Sequence, residues 1–354
     1  MPARYTEVAE ELRRLCANLE KRGETRLPSE QELGRLCACS RQTVRSALAV
    51  LEREGLIEKR RGSGSYLASG QPRHDERIVL LVPDENEYLY PALIRELRQT
   101  FALRGFRLVC RSTQSLHARE RRWLEEILAE PPAAVLLEPI GDRFPNPNED
   151  RIRELEDAGI PLSYLFCAYE GVRAHPCVRE ADRDGAAQLA ELLASAGYRR
   201  IGGFFRCDDS RGYERCAGLQ SACAALGLEL PERSLAWISA EDQRQLLDGG
   251  AEHLSIFLRR HWHGCDAVIC QNDELAYPLL RELERRGLSV PEGLAVASFD
   301  NSYYAGAGSV GLTSLGHRPH ALAAAAAEAV FSAMRGEESS PEPVPWLLVR
   351  RESA

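Results

Sequence analysis

Apolar residues near the start of the chain recur at intervals of three and four, the spacing that places side chains on one face of a helix. A first helix is therefore expected over residues 5–19, with an inward stripe of Tyr5, Val8, Ala9, Leu12, Leu15, Cys16 and Leu19. Ser29 and Glu32 have capping-box spacing and predict a second helix that ends at about residue 36. Ser40 is a good N-cap for a third helix, which Gly55 would end.

Two short strands are predicted at residues 57–61 and 65–68, around a glycine-rich tip at residues 62–64. Such a tip lets the backbone approach a minor groove, while the basic residues 59–61 beside it are placed to meet phosphate. Three helices followed by a basic, glycine-tipped hairpin form a specific combination that favours DNA binding.

The N-terminal end of the third helix carries polar and basic side chains. Arg41 and Arg45 are one turn apart, with Gln42 and Thr43 beside them, which suits insertion into the major groove. Arginine can bind the two acceptors of guanine, and glutamine can pair in the same way with adenine. For this helix alone, a solvent-exposed face without a binding role is an equally good interpretation. The basic hairpin that follows favours the DNA-binding interpretation.

Beyond a linker at residues 70–76, buried-strand runs alternate with amphipathic helical stretches. The runs include RIVLLV (77–82), AVLLEP (134–139), RIGGFF (200–205), AVICQND (267–273) and LAVASFD (294–300). This alternation predicts the α/β fold class with doubly wound parallel sheets, and two such sets predict two lobes.

The positions just after these strands are polar, and in open parallel sheets ligands bind beyond the carboxyl ends of the strands. They comprise residues 84–90, Glu138, Tyr169, residues 208–215, Asn272, Asp273, Asp300 and Asn301. Carboxylates, carboxamides, an arginine and tyrosines suit a polyhydroxylated ligand, which needs edge hydrogen bonds and an aromatic wall. Each such residue alone is equally consistent with a helix cap or a turn.

Composition narrows the classes of protein. Of the 354 residues, 44% are hydrophobic and 28% are charged. Because no apolar run approaches the roughly 20 residues that a bilayer requires, we expect no membrane span. The N-terminus lacks the order of a secretory signal, so the protein is expected in the cytoplasm.

Cysteine usage and charge add two further expectations. The 11 cysteines are irregularly spaced, which favours buried thiols over disulfides. Neither the Cys37 and Cys39 pair nor the His261 and His263 pair has a second pair at zinc-like spacing, so we expect no metal, and we expect no cofactor. Residues 1–72 carry 13 Lys and Arg against 10 Asp and Glu, whereas the whole chain has a net charge of −8. A mildly basic head on an acidic body is typical of a DNA-binding module attached to a small-molecule sensor.

Residues 4–68 resemble the GntR family of bacterial regulators through the string LPSEQELGRLCACSRQTVRSALAVLEREGLIEKRRGSGSYLA at 27–68. The resemblance implies a winged helix-turn-helix domain over residues 1–69 that binds double-stranded DNA. With the neighbours Ser40 and Lys59 added, the expected DNA-binding residues are Ser29, Glu30, Gln31, Ser40, Arg41, Gln42, Thr43, Arg45, Lys59, Arg61, Gly62, Ser63 and Gly64. Gln31 stands where several relatives carry arginine, so a weaker contact is expected there.

Residues 77–352 resemble the effector domain of the LacI/GalR family, a two-lobed fold like that of type I periplasmic binding proteins. The motifs are ASAGYRRIGGFF (194–205), RCAGL (215–219), AVICQND (267–273), VPEGLAVASFDNS (290–302) and LTSLGHRP (312–319). The resemblance implies that Arg215 and Asp300 hold the hydroxyls of a ligand, with the turn at Asn272 and Asp273 beside them. The expected effector-binding residues are Tyr88, Glu138, Tyr169, Arg215, Asn272, Asp273, Asp300 and His317.

The same resemblance implies an effector domain at 77–354 whose chain crosses between the lobes near residues 175, 317 and 338. Lobe 1 is expected at about 77–174 and 318–336, and lobe 2 at about 176–316 and 340–354, closed by the strand PWLLVRR. The strings EYLYP (87–91), PNPN (145–148) and CDDSRGYER (207–215) resemble the arabinose-responsive members and imply L-arabinose as the effector. Gln271 in place of an aromatic residue, and RGY at 211–213, leave other sugars open.

These resemblances imply a homodimeric repressor that binds a roughly palindromic operator and is released by a small sugar. A different or non-sugar effector, or activation by the effector, stays open, and an exported sugar-binding protein would need a signal peptide. We do not expect an enzyme. A pyridoxal-phosphate body requires a Schiff-base lysine, and the chain has no lysine after Lys59. No G-x-G-x-x-G follows the first strand of either lobe, as a nicotinamide site would require.

Overall fold

The structure is a computed structural model that describes residues 8, 9, 11, 12, 15, 16, 19, 26–37, 39–53, 57–60, 64–67, 76–249 and 252–354. The chain divides into two compact units between Asp75 and Glu76. No helix in these described ranges is long and apolar enough to cross a membrane. None of the eleven cysteines, all of which the structure describes, is in a disulfide bond.

The described part of the first unit consists of three helices and a hairpin. Helix α1 includes the described residues between 8 and 19, α2 spans Glu30–Leu36, α3 spans Arg41–Arg53, and the antiparallel strands are β1 (Ile57–Arg60) and β2 (Gly64–Leu67). One apolar cluster that contains Leu12, Leu33, Leu48 and Ile57 joins all of these elements except β2. The expected winged helix-turn-helix is confirmed, while Arg61, Gly62 and Ser63 lie outside the described residues.

Local hydrogen bonds fix the starts of α2 and α3. The amide of Glu32 donates to Ser29 Oγ at 3.3 Å, and the amide of Ser29 donates to Glu32 Oε2 at 2.8 Å, which confirms the capping box. The amide of Thr43 donates to Ser40 Oγ at 3.2 Å. Each bond satisfies a first-turn amide that has no partner within its helix.

The second unit begins with a parallel sheet of strand order β4-β3-β5-β6-β7, which we call lobe 1 together with its helices. Its strands are β3 (Arg77–Val82), β4 (Arg107–Ser112), β5 (Ala134–Leu137), β6 (Leu162–Leu165) and β7 (Cys177–Val178). Its helices are α4 (Tyr90–Ala102), α5 (His117–Ala129), α6 (Glu149–Asp157) and, from near the end of the chain, α12 (Ala321–Met334). Apolar side chains of α4 and α12 cover one face of the sheet, and those of α5 and α6 cover the other.

Lobe 2 contains a six-stranded sheet of order β13-β12-β11-β10-β8-β9. Its parallel strands are β8 (Ile201–Arg206), β9 (Leu235–Ile238), β10 (Ala267–Cys270), β11 (Ala295–Phe299) and β12 (Thr313–Gly316), and β13 (Leu347–Val349) runs antiparallel at the edge. Its helices are α7 (Asp182–Ser195), α8 (Ser210–Leu226), α9 (Ala240–Leu247), α10 (Glu252–Arg260) and α11 (Asp273–Arg285), with short 3-10 turns at Glu232–Ser234 and Tyr303–Gly306. Two doubly wound parallel sheets were expected and are confirmed.

The chain passes between the lobes three times. The first crossing follows β7, because Cys177 and Val178 still pair with β6 in the lobe 1 sheet, a few residues beyond the predicted position near 175. The second lies between β12 and α12, where residue 317 was predicted. The third follows Val344, which packs in the lobe 1 core, whereas Trp346 packs in lobe 2, so this crossing lies beyond the predicted residue 338. A two-residue strand and a loop that packs through one valine leave little trace in a hydropathy pattern.

The position of helix α8 depends on close packing against α7. A Cβ at Gly218 would lie 2.6 Å from both the Cα and the carbonyl oxygen of Arg183 on α7. We expect Gly218→Ala to push the helices apart and to lower the free energy of unfolding of the second unit by about 1–3 kcal/mol, the usual cost of overpacking. Urea denaturation followed by circular dichroism measures this change. Gly306→Ala is the control, because nothing lies within 4 Å of its Cβ position, and equal losses in the two variants would contradict the prediction.

Candidate DNA-binding face and effector cleft

Helix α3 has one buried and one exposed face. Val44 and Leu48 are buried in the first unit, whereas Arg41, Gln42 and Arg45 are exposed. At the adjoining start of α2, Ser29 and Gln31 are also exposed. The structure therefore gathers the predicted residues of both helices on the solvent side of the first unit.

Glu30 and Arg45 link the two helices. Arg45 Nε donates to Glu30 Oε2 at 2.9 Å, and the arginine side chain remains 64% exposed. The carboxylate restricts the arginine without burying it, so the guanidinium still presents donors to solvent. An exposed ion pair of this kind contributes little to stability.

The hairpin carries a further exposed basic residue. Gly64 has a φ of +114°, a conformation that favours glycine, and Lys59 is exposed and pairs with Glu52 at 3.2 Å. Arg26 pairs through its backbone with Tyr66, and its guanidinium lies 5.9 Å from the centroid of that ring. Sequence reasoning missed Arg26, although it directly precedes the LPSE string.

The second unit contains a cleft of about 320 Å³ between its lobes, at the carboxyl ends of the parallel strands. Its lining includes Tyr88, Tyr90 and Glu138 from lobe 1, and Arg206, Arg211, Gln243, Asn272, Glu274 and Asp300 from lobe 2. The structure thus brings together four of the predicted effector residues, namely Tyr88, Glu138, Asn272 and Asp300.

Tyr88 and Asp300 meet across the cleft. The tyrosine hydroxyl donates to Asp300 Oδ2 at 2.5 Å. Both residues have left-handed backbone, with φ of 56° at Tyr88 and 91° at Asp300. Non-glycine residues in such conformations cost of order 1–3 kcal/mol each and cluster at ligand sites.

Glu138 and Arg211 form a second bridge between the lobes. Glu138 accepts from Tyr90 Oη at 2.9 Å and from Arg211 Nη2 at 3.3 Å, and Arg211 also binds Asp209 at 2.9 Å. Burial raises the pKa of Glu138 to about 7, although Arg211 acts in the opposite direction. The carboxyl group therefore lacks enough local positive charge and would gain from further hydrogen-bond donors.

The lobe 2 wall also contains buried hydrogen-bond acceptors. Gln243 Nε2 donates to Glu274 Oε2 at 2.8 Å, while Gln243 Oε1 is buried and has no partner among the described residues. Burial, reinforced by the charge of Asp300, raises the pKa of Glu274 to about 7. A ligand rich in hydroxyl donors would satisfy this wall.

The other four predicted effector residues lie outside the cleft lining. Arg215 is 1% exposed, and His317 contacts the crossing segments. Tyr169 donates to Glu120 at 2.7 Å inside lobe 1. Asp273 accepts from the hydroxyls of Ser298 and Ser314 and the amide of Ser302. Residues just after a strand can cap a helix or join an internal hydrogen-bond network, and only some of them contact a ligand.

Two departures from the expected family pattern have structural explanations. Gln271 does not line the cleft, because its Oε1 accepts the amide of Arg206 at 2.6 Å and its Nε2 donates to Asp209 at 3.2 Å. The arginine of the RGY string is Arg211, which lines the cleft. Sequence reasoning missed Arg206, Gln243 and Glu274 as individual residues, and Arg211 was covered only as part of the 208–215 loop.

A wider cavity of about 560 Å³ lies on the other side of Arg211. Two pairs of its charged side chains bind each other, Arg183 with Glu214 at 2.5 Å and Arg143 with Glu170 at 3.7 Å. The smaller cleft has buried carboxyl groups whose pKa burial raises, and the amide oxygen of Gln243 that has no partner among the described residues. It is therefore the better candidate for a ligand.

Each of the two units matches a known protein family or domain. Residues 4–67 match the family described as bacterial regulatory proteins, gntR family, and residues 190–354 match the periplasmic binding protein-like domain. The arabinose metabolism transcriptional repressor of Geobacillus stearothermophilus is 30% identical over 353 residues, which cover 99% of this chain and 95% of the relative. The repressor of the same name from Halalkalibacterium halodurans is 28% identical, covering 93% of this chain and 91% of the relative.

Solved structures support the fold of the second unit. The periplasmic binding protein/LacI transcriptional regulator of Alkaliphilus metalliredigens, complexed with D-xylulofuranose, has a TM-score of 0.66 at 18% identity, covering 79% of this chain and 99% of that one. The chain therefore belongs to the family of the arabinose metabolism transcriptional repressors, transcription regulators in which a gntR-family winged helix-turn-helix precedes a LacI-like effector domain.

Proposed function

We propose that the protein is a homodimeric repressor of sugar-utilisation genes, that it binds a roughly palindromic operator, and that a small sugar releases it. L-arabinose is the first candidate effector, since the relatives that match nearly the whole chain are arabinose metabolism repressors. The observation that carries the proposal is the interlobe cleft, in which Tyr88 and Asp300 meet beside buried carboxyl groups and the amide oxygen of Gln243 that has no partner among the described residues.

The proposed effector contacts are Tyr88, Glu138, Asn272 and Asp300, to which we add Arg206, Arg211 and Glu274. Hydroxyl groups both donate and accept, so a sugar can serve the carboxylates and the guanidinium groups together. The tyrosines supply the flat apolar surface that a sugar ring requires. The same cleft with a different sugar, or with an effector that strengthens DNA binding, is the alternative.

The proposed coupling runs through the two bridges between the lobes. A sugar that binds the closed cleft better than an open one favours closure, and only this difference in affinity can change the protein's shape. Allosteric coupling of about 1–3 kcal/mol would weaken operator binding roughly 5- to 150-fold. The proposed role is binding without catalysis, in the cytoplasm where a bacterial regulator meets DNA.

A thermal-shift panel of pentoses and hexoses tests the effector assignment. A ligand at 100 times its dissociation constant stabilises its protein by about 2.7 kcal/mol. L-arabinose is expected to give the largest shift, and a flat panel would point to a non-sugar effector.

Arg45→Ala tests the DNA-binding face. We propose that the predicted residues of this face contact the operator and that Arg26 adds a phosphate contact. Loss of a base contact at Arg45 is expected to cost about 1–3 kcal/mol of specific binding. Arg26→Ala should instead weaken binding to operator and to random DNA alike. It should also reduce the slope of log affinity against log salt concentration by about 1. Fluorescence anisotropy at several salt concentrations measures both effects, and sugar binding should be unchanged. Equal loss on both DNAs for Arg45→Ala would contradict base recognition.

Asp300→Asn tests the cleft. Asparagine keeps the shape and tolerates left-handed backbone, but it removes the charge that strengthens hydrogen bonds to the ligand. Loss of about 1.5–3 kcal/mol corresponds to roughly 10- to 150-fold weaker L-arabinose binding. Isothermal titration calorimetry measures it, with operator binding as the second readout and Asp157→Asn, an exposed residue of α6, as the control. Unchanged affinity in Asp300→Asn would refute this placement of the effector.

The oligomeric state is tested by light scattering. The chain has a mass of 39.4 kDa, and we expect twice that value in solution, with two chains bound per operator. A single chain in both states would refute the proposed dimer.

A further inference from the structure

His317 touches all three segments that cross between the lobes. It lies on the second crossing, its Nε2 is 2.8 Å from Glu180 Oε1 on the first, and its Nδ1 is 3.0 Å from the carbonyl oxygen of Pro345 on the third. The ring also stacks on Trp346, with 4.0 Å between centroids.

Both ring nitrogens of His317 therefore face acceptors. A carboxylate oxygen and a backbone carbonyl oxygen can only accept, whereas a neutral imidazole carries a single N–H. Only the doubly protonated ring can make both hydrogen bonds. With Glu180 ionised, the two bonds together require an imidazolium at the junction of the lobes.

A chain of contacts leads from this imidazolium to the cleft. Glu180 Oε2 accepts from Arg215 Nη2 at 3.0 Å, and Arg215 Nη1 lies 3.5 Å from Asp300 Oδ1. Asp300 in turn accepts from Tyr88 of lobe 1. Arg215 is confined further by Asp182 at 2.7 Å and by the ring of Phe299, 4.3 Å from its guanidinium carbon.

We propose that His317 and Glu180 are positioning residues of the effector cleft: as an imidazolium–carboxylate pair they hold Arg215, and through it Asp300, while tying the three crossings together. Neither residue lines the cleft. The inference rests on the effector function proposed above, and it makes sugar binding dependent on the proton at His317.

Charge balance in this cluster supports the protonated ring. The buried carboxylates of Glu180, Asp182 and Asp300 surround one guanidinium, so the imidazolium supplies a second positive charge. Burial lowers the pKa of His317, but the hydrogen bond and charge of Glu180 outweigh it and raise the pKa above its usual value. The stabilisation from this raised pKa is complete below the ordinary histidine range and is lost as pH rises through the pKa of the folded protein.

The chain provides a matched control pair. His175 Nε2 lies 2.9 Å from Glu156 Oε1 in lobe 1, with side chains 15% and 4% exposed, against 13% and 3% for His317 and Glu180. The two pairs share their chemistry and burial, but His175 and Glu156 do not contact Arg215. His175→Gln should therefore leave sugar binding and its pH dependence unchanged.

The first measurement needs no ligand. Histidine-selective 13C labelling follows the titration of His317 by NMR, with its signal assigned by its loss in His317→Gln. We expect the wild-type ring to titrate above about 6.5, the unperturbed value, and Glu180→Gln to lower that pKa. A His317 pKa at or below 6.5 in wild type, or an unchanged His317 pKa in Glu180→Gln, would contradict the imidazolium–carboxylate pair.

The second measurement is L-arabinose affinity by calorimetry from pH 6 to 8.5. Wild-type affinity should weaken as pH rises through the His317 titration. His317→Gln should bind about 2- to 30-fold more weakly at pH 6, the range for residues that act through their neighbours, and should converge with wild type at high pH. Glu138, Asp182 and Glu274 also titrate near neutrality, because burial raises the pKa of each to about 7. The quantity compared is therefore the difference between wild type and His317→Gln at each pH.

The outcomes separate the two proposals. If wild type binds L-arabinose and His317→Gln keeps the wild-type pH profile, the positioning role is refuted while the effector assignment stands. If wild type binds no sugar at any pH, the effector function fails and the positioning role fails with it, and the NMR titration still decides whether the bridge exists.

Discussion

The burial of the Arg215 guanidinium is the constraint on which the second unit depends. With 1% exposure, the group is tolerated only where carboxylates and carbonyls replace the water that it loses. These partners come from the first crossing, the start of α7, the end of β10 and the end of β11. Removing the guanidinium would leave three buried carboxylates without this positive charge, at a typical cost of about 3–5 kcal/mol for a broken buried pair. The lobe junction, the strand ends and the cleft wall are therefore fixed together.

The first unit was predictable from sequence because its determinants are local. The capping bonds of Ser29 and Ser40 act over three residues, and the stripe of α1 needs only its own periodicity. In the second unit, long alternating runs predicted the sheets, but β9 and α9 were missed. β9 is a four-residue strand at the edge of its sheet, and the eight-residue α9 follows it almost directly.

Four of the eight predicted effector residues line the candidate cleft, for a reason visible in Asn272 and Asp273. Both follow β10, and the rule that ligands bind beyond strand ends selects both. Asn272 reaches the cleft, whereas three serines draw the Asp273 carboxylate into the interior. Those serines lie on β11, β12 and the loop between them, so no local pattern signals the choice. Gln271 shows the converse, because a departure from the expected residue supports the loop that carries Arg206 and Asp209 rather than changing the cleft surface.

The closed cleft without a sugar carries costs that a sugar can relieve. Glu138 and Glu274 are buried without full compensation, which is why burial raises the pKa of each to about 7, and Gln243 Oε1 lacks a donor. In an open form these groups would be hydrated, so they oppose closure in the absence of ligand. Sugar hydroxyls supply the missing donors only where both walls meet. Donor-rich ligands therefore favour the closed form more than the open one, and that difference is the free energy available to act on DNA binding.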